Sequence, residues 1–226
     1  MLKDSLVRKV SLFADLLDSD LKLIANITLR RSFRKHEIVF HANDAGTALF
    51  ILQSGMVKIS IMDQNAREVI LKLLYPGDFF GEMALLDGKH RSATVTAVDK
   101  VEALVIEREA FLRLLRSRSD LLMNMLLAVS RRLRQTDEKI RSLVFSDVYG
   151  KFARTILGLV HENGEQGDDG LYVDTPLSRQ ELAQLMGVTR QTLSKLLREY
   201  QQSGVLKITR QRIHILDEAR LQKEAL

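Results

Sequence analysis

The stretch "GEMALLDGKHRSATV", residues 81–95, sets an acid, Glu82, nine residues ahead of a base, Arg91, around a short apolar run and a tight turn. Short β-rich runs lie on either side of it: "ALFILQSG" (48–55), "MVKISIMD" (56–63), "EVILKLLYPGD" (68–78) and "SATVTAVDKVEALVI" (92–106). Glycine and Asx turn signals at 43–46, 54–55, 63–65 and 77–78 separate them. Closely spaced short strands of this kind predict a sandwich or jelly roll over about residues 31–106, with Gly46, Gly55, Gly77 and Gly81 at its corners. Within it, Glu82 and Arg91 have two readings. As a surface ion pair they contribute no more than about 1 kcal/mol. Alternatively they face one another across a bound anion.

Helices flank the strands. In "LLDSDLKLIANI" (16–27) Leu21, Ile24 and Ile27 share one face. A helical run is predicted from about Arg108 to Ser146. Along it Leu122, Leu126, Val129, Leu133, Thr136, Ile140 and Leu143 recur at steps of 4, 3, 4, 3, 4 and 3, with Arg131, Arg132, Arg134, Glu138 and Lys139 off the seam. An apolar stripe on the protein's own barrel gives such a pattern, and so does a parallel two-helix dimer interface. The length of the seam, without proline or glycine, favours the dimer. Thr136 is its one polar position, followed by Asp137, and a polar residue there either fixes register or meets something polar. Phe145, Ser146 and Asp147 end the run, with Asp147 placed to cap a new helix, "VYGKFARTILGLVHE" (148–162). The glycine- and acid-rich "NGEQGDDG" (163–170) reads as a loop.

The second strong signal is "LSRQELAQLMGVTRQTLSKLLREYQQSGVLKI" (177–208). Ser178 and Glu181 stand in capping-box relation. Small Ala183 and turn-forming Gly187 follow, and Thr189 caps a second helix. Leu193, Leu196, Leu197 and Tyr200 line one face of that helix, and Arg190, Gln191, Ser194, Lys195 and Arg198 the other. These are the parts of a helix-turn-helix. Arg190 and Lys195 suit guanine O6/N7 and Gln191 suits adenine N6/N7. Ser178, Arg179, Gln180, Thr189 and Thr192 have the reach for phosphates. "VLKITRQRIHIL" (205–216), which carries Arg210, alternates isoleucines with basic residues as a β-hairpin wing would. A small helical interaction module with a solvated basic face is the competing reading.

Charge placement agrees with a polyanion partner. The chain carries 34 Lys and Arg against 29 Asp and Glu, a net +5. Between Leu177 and Ile213 lie seven basic residues (Arg179, Arg190, Lys195, Arg198, Lys207, Arg210, Arg212) and two acids (Glu181, Glu199), so this segment alone accounts for +5. The chain has no cysteine, which excludes disulfides, thiolate zinc and cysteine-held iron–sulfur clusters. Its five histidines match no metal-ligand spacing, so no metal site is expected, while a haem held by His36 or His41 stays open. No apolar run approaches the ~20 residues of a membrane span. "MLKDSLVRKVSLFADL" (1–16) is too charged for a secretory leader, so the cytoplasm is expected. No nucleophile–base pair, metal cluster or phosphate-binding glycine run points to an enzyme.

Over about residues 10–215 the chain resembles the cyclic-AMP receptor protein/FNR (CRP/FNR) family of bacterial transcription regulators. "GEMALLDGKHRSATV" carries most of the resemblance, then "TRQTLSKLL" (189–197), with "FSDVYGKFARTIL" (145–157) similar to the family's hinge and first DNA-domain helix. The resemblance implies an α+β fold: a β jelly-roll sensor over 1–107, a long dimerisation helix over 108–146, and a winged helix-turn-helix over 147–226. It implies a cyclic nucleotide effector such as cyclic AMP. Gly81 and the N-terminus of "EMALL" would face the phosphodiester, with Met83 in the same turn. Glu82 would take the ribose 2′-hydroxyl, Arg91 and Ser92 the phosphate, and Ala84 would leave room for close approach. Thr136 and Asp137 would meet the base at the dimer axis. It further implies a homodimer, double-stranded promoter DNA, RNA polymerase as a partner, and hinge positions at Phe145 and Asp147.

Two departures stand out. The family's Thr-Ser pair on the long helix is Thr136-Asp137 here, and that carboxylate would accept from an adenine 6-amino group or from guanine N1/N2. Where the cyclic-AMP receptor protein that gives the family its name has Arg-Glu in the recognition helix, this chain has Arg190-Gln191, which predicts a half-site different from that protein's at one base pair. The same fold with another trigger (cyclic di-GMP, haem-bound gas, a metabolite, or none) is a second reading. A cyclic-nucleotide-binding regulatory module of an enzyme is a third, disfavoured by the DNA reader.

Overall fold

The computed structural model describes residues 10–13, 17–167, 170–209 and 211–225, with side chains at all of these except 11, 20 and 142–145. Contacts divide the chain into two compact units, Met1–Arg67 with Leu71–Arg134, and Glu68–Ile70 with Gln135–Leu226.

In the first unit a 3-10 turn, Ser11–Phe13, and α1, Asp18–Ile27, precede the strands. Leu21 and Ile24 of α1 are buried and Ile27 is half-buried. Thr28 ends the helix by donating its hydroxyl to the Ala25 carbonyl at 2.8 Å. A β-branched residue bonded back this way favours extended chain. The first strand therefore starts at Thr28, three residues before the sequence pattern changes.

Eight strands follow: β1 Thr28–Phe33, β2 Ile38–Phe40, β3 Ala48–Ser54, β4 Val57–Met62, β5 Glu68–Leu74, β6 Phe79–Phe80, β7 Thr94–Ala97 and β8 Val101–Glu107. A short helix, α2, Glu82–Asp87, sits between β6 and β7. They form two four-stranded sheets, ordered β1-β8-β3-β6 and β2-β7-β4-β5. The unbroken apolar run of β3 has a simple cause. Leu49 and Ile51 join Leu104 and Ile106 of β8 in a cluster with Leu21, Ile24 and Phe111. Phe50 and Leu52 join Ala103 and Val105 in a cluster with Phe80 and Val95. A strand covered on both faces shows no polar alternation.

The run expected from Arg108 to Ser146 is two helices, α3, Arg108–Ser117, and α4, Ser119–Phe145. Arg118 between them is extended (φ −137°, ψ 100°). Ser117 donates its hydroxyl to the Leu114 carbonyl at 3.0 Å, the local bond by which serine competes with helix continuation. The break lets Phe111 and Leu115 of α3 and Leu121 and Met125 of α4 enter one cluster. Five seam residues, Leu122, Leu126, Val129, Leu133 and Ile140, are 39–62% exposed. The Leu143 side chain lies outside the described residues. The seam is thus not the stripe that packs on the protein's own sheet; Leu121 and Met125 take that role.

The second unit contains α5 Val148–Asn163, β9 Gly164–Gly167, β10 Gly170–Asp174, α6 Arg179–Met186, α7 Arg190–Gln202, β11 Leu206–Thr209, β12 Arg212–Ile215 and α8 Glu218–Glu224. Asp147 caps α5, its carboxylate accepting from Gly150 N at 2.8 Å. The sheet runs β11-β12-β10-β9. Here "NGEQGDDG" is not only loop. Its first glycine through Gly167 pairs with β10, the Tyr172 hydroxyl donates to Glu165 at 2.6 Å, and a Cβ at Gly167 would meet the Tyr172 ring at 2.8 Å. Pairing with a neighbour outweighs a composition poor in strand formers. Phe152 of α5 stacks on Tyr200 of α7 with centroids 4.4 Å apart.

Candidate functional site

The cassette that opens the sequence is a glycine-bounded turn of helix. Gly81 and Gly88 flank α2 in the left-handed region (φ 84° and 72°). At Gly81 glycine is required twice over, because a Cβ would also stand 2.6 Å from Arg91 Nη1. Arg91 is 5% exposed and points inward. Its Nη1 donates to the Gly81 carbonyl and its Nη2 to the Ala48 carbonyl, each at 2.7 Å. The guanidinium lies 4.2 Å over the Phe40 ring, a cation–π contact. Its Nε is buried without a hydrogen-bond partner among the described residues. Burial pulls the guanidinium below its ordinary pKa, while the Glu82 and Asp44 charges oppose that shift.

Glu82, also 5% exposed, pairs with a residue that sequence reasoning passed over. Arg132 of α4 donates Nη1 to Glu82 Oε1 at 2.5 Å and Nη2 to the Phe79 carbonyl, with its guanidinium 4.3 Å over the Phe79 ring. Arg132 reads in sequence as one of several off-seam cations. Its one distinguishing signal is a place four residues before Thr136, the polar seam position. Ala84 is buried and Gly46 abuts it so closely that a Cβ there would fall 2.3 Å from the Ala84 Cβ. Met83 and Ser92 lie at the exposed rim, the Ser92 hydroxyl 3.7 Å from Met83 Sδ. The first unit therefore brings together Gly81, Glu82, Ala84 and Arg91. Thr136 and Asp137 are exposed on α4 and belong to the second unit. The Phe145 side chain lies outside the described residues.

A cyclic monophosphate fits this donor set. Arg91 has one buried N–H without an acceptor and two N–H groups on neutral carbonyls, which a phosphate would replace with stronger charge-assisted bonds. Glu82 can accept only from donors, as ribose hydroxyls are.

The second candidate surface lies on α6 and α7. The capping box forms as expected: Glu181 N donates to Ser178 Oγ at 3.2 Å and Ser178 N to Glu181 Oε2 at 2.9 Å. Gly187 closes α6 at φ 70° and Thr189 caps α7 through Thr192 N at 3.1 Å. Leu193, Leu196, Leu197 and Tyr200 are buried. Arg190, Gln191, Ser194, Lys195 and Arg198 are exposed and line one shallow open depression. Ser178, Gln180 and Thr189 are exposed and Thr192 half-buried, as is Arg179, whose burial lowers its pKa. Arg210 lies outside the described residues. In the wing, Arg212 is committed to Asp174 through bonds of 2.8 and 2.6 Å and stacks 3.9 Å over Tyr172.

Residues 30–118 match the cyclic nucleotide-binding domain, and residues 150–224 match the Crp-like helix-turn-helix domain. The chain is 31% identical over 214 residues to the cyclic AMP receptor protein of Thermus thermophilus, covering 95% of this chain and 96% of that protein. It belongs to the CRP/FNR family of transcription regulators. Another CRP/FNR relative, the CRP-like cAMP-activated global transcriptional regulator of Mycobacterium tuberculosis, is 29% identical over 222 residues, 98% of this chain and 99% of the relative. The structure of the c-di-GMP-responsive global regulator CLP from Xanthomonas campestris superposes with a TM-score of 0.77 at 26% identity, covering 88% of this chain and 99% of that one. The α+β architecture expected of a CRP/FNR member is the one observed. The chain is accordingly a DNA-binding transcription regulator carrying a cyclic-nucleotide-binding domain.

Among the described residues no group of three or more His, Cys, Asp or Glu is placed to hold a metal ion. His36 and His41 are exposed, His36 in the left-handed region at φ 66°. Among the described residues no helix is long and apolar enough to cross a membrane.

Proposed function

We propose that the protein is a homodimeric, effector-gated regulator of promoter DNA in the cytoplasm, and that its effector is cyclic AMP or a similar cyclic nucleotide. The observation that carries the proposal is Arg91, buried in the first unit with an unpartnered Nε beside the equally buried Glu82. A cation and an anion both removed from water, Glu82 inside the glycine-bounded turn and Arg91 three residues beyond it, suit a ligand with a phosphate and a hydroxylated sugar. We assign the phosphate to Arg91, Ser92 and the Gly81 turn, the 2′-hydroxyl to Glu82, and the base to Thr136 and Asp137.

The sensor is assigned to residues 1–107, dimerisation to 108–146 through the exposed seam, and DNA to 147–226. Ligand binding would bias the chain between two arrangements, with the hinge at Phe145–Asp147, so that paired recognition helices stand one helical turn, ~34 Å, apart. RNA polymerase is the further partner in this reading, and the protein acts by binding rather than catalysis.

Titration calorimetry with cyclic AMP, cyclic GMP and cyclic di-GMP tests the proposal. Wild type should bind a cyclic mononucleotide, and Arg91→Leu should weaken it by about a hundredfold or more through loss of the charge-assisted bonds. A second reading keeps the fold and changes the trigger. Asp137 in place of the family's serine favours it, as does the c-di-GMP response named for the Xanthomonas regulator. It replaces the first reading if wild type ignores cyclic AMP and cyclic GMP.

A further inference from the structure

We infer that Arg108 is a positioning residue for the effector cassette, holding α2 by its C-terminal end and tying it to the start of α3. The inference rests on the cyclic-nucleotide reading of Gly81, Glu82 and Arg91. Helix α2 has six residues, too few to persist by its own hydrogen bonds, so its placement is set from outside. At its C-terminus Gly88 N donates to the Ala84 carbonyl at 3.1 Å. The next carbonyl, Leu85, accepts from Arg108 Nε at 2.9 Å. A cation there complements the negative end of the helix as well as satisfying an orphan acceptor. The only ion pair Arg108 makes among the described residues, with neighbouring Glu109, is long at 3.8 Å, so the Leu85 bond is its directed interaction.

The backbone of Arg108 is fixed at the same place as the rest of the cassette. Three successive residues at the entry to β3 form a common abutment. Gly46 takes the close approach of Ala84, the Thr47 carbonyl accepts Arg108 N at 2.9 Å, and the Ala48 carbonyl accepts Arg91 Nη2 at 2.7 Å. From one end of α2, Arg91 grips the Gly81 carbonyl; from the other, Arg108 grips the Leu85 carbonyl. Loosening the Arg108 end lets α2 slide on the abutment. That displaces Gly81 and Glu82 from Arg91, though among the described residues Arg108 makes no hydrogen bond or ion pair with the assigned ligand residues. The same bond links the cassette to α3, whose Phe111 and Leu115 share a core cluster with Leu121 and Met125 of α4.

The full-length protein tests this through Arg108→Gln and Arg108→Lys. Without nucleotide, amide exchange over Ala84–Gly88 should accelerate about tenfold in Arg108→Gln, the loss of one bond to a charged donor, while β3 and β8 keep wild-type protection. Lysine, which keeps the cation, should restore most of it. Cyclic AMP and cyclic GMP titrations should show about a tenfold weaker Kd for Arg108→Gln, partly rescued in Arg108→Lys. Unchanged exchange over α2 overturns the inference. So does faster exchange throughout β3 and β8, since Arg108 then only stabilises the fold, and so does unaltered nucleotide affinity with α2 loosened. If wild type binds neither nucleotide, the proposed function fails instead, and exchange alone decides whether Arg108 holds α2.

Discussion

Arg91 shows what a residue type at a spacing can and cannot reveal. The spacing of Glu82 and Arg91 allows two readings, a surface ion pair or a pair facing a bound anion, and the burial of both side chains excludes the first. The present partners of Arg91, the Gly81 and Ala48 carbonyls, were not legible, because Ala48 is brought there by the sheet. Arg132 was illegible for the same reason: one cation among several on a helix becomes the partner of Glu82 only once α4 lies against β6 and α2. These contacts make Gly81 a sharp test. Gly81→Ala combines a left-handed backbone at φ 84° with a Cβ 2.6 Å from Arg91 Nη1. Backbone strain of this kind costs about 1–3 kcal/mol. Urea unfolding of Gly81→Ala should show a loss in that range, with nucleotide affinity falling further than stability because Arg91 must move.

Elements are most legible where one local signal suffices, as at the capping box of α6 and the caps of α5 and α7. Packing overrides the local pattern at the Arg118 break and at β9. The heptad pattern on α4 was readable, yet its meaning needed the neighbouring residues: Leu121 and Met125 are buried, which leaves Leu126 and Leu133 each 62% exposed. Leu126→Lys with Leu133→Lys should therefore give a folded monomer. Sedimentation should show halved mass with an unchanged far-ultraviolet spectrum; a stable dimer would show that another surface joins the protomers.

The wing offers a pH test. The Arg212 hydrogen bond holds the Asp174 carboxyl below its ordinary value. In the unfolded chain Asp174 ionises at that ordinary value. The pair's contribution is therefore complete above the ordinary range and lost as pH falls through the lowered folded one. Amide protection in β10 and β12, taken relative to the intrinsic exchange rate at each pH, should fall in acid, and Asp174→Asn should abolish that dependence.

Taken together, the chain places its excess positive charge in one segment, but the structure sorts those cations by what else they do. Arg212 is spent on Asp174 and Tyr172, and Lys195 lies 3.7 Å from Glu199. Arg190 and Gln191 stand exposed at the N-terminal end of α7, the end that leads into a major groove. DNA affinity should consequently fall steeply with salt, and Arg179→Gln should reduce the slope of log K against log salt by about 1 without altering sequence preference. Arg212→Gln should leave that slope unchanged. Gln191→Glu should do the reverse of Arg179→Gln. Glutamine offers a donor and an acceptor that match adenine N7 and N6, whereas glutamate offers acceptors only and favours the cytosine 4-amino group. The exchange should thus move one base pair of the selected half-site from adenine to cytosine, with a change of about 1–3 kcal/mol at that position. In vitro selection on wild type and Gln191→Glu reads this directly. The same consensus from both would place Gln191 outside base contact and shift recognition onto Arg190, Ser194 and Lys195.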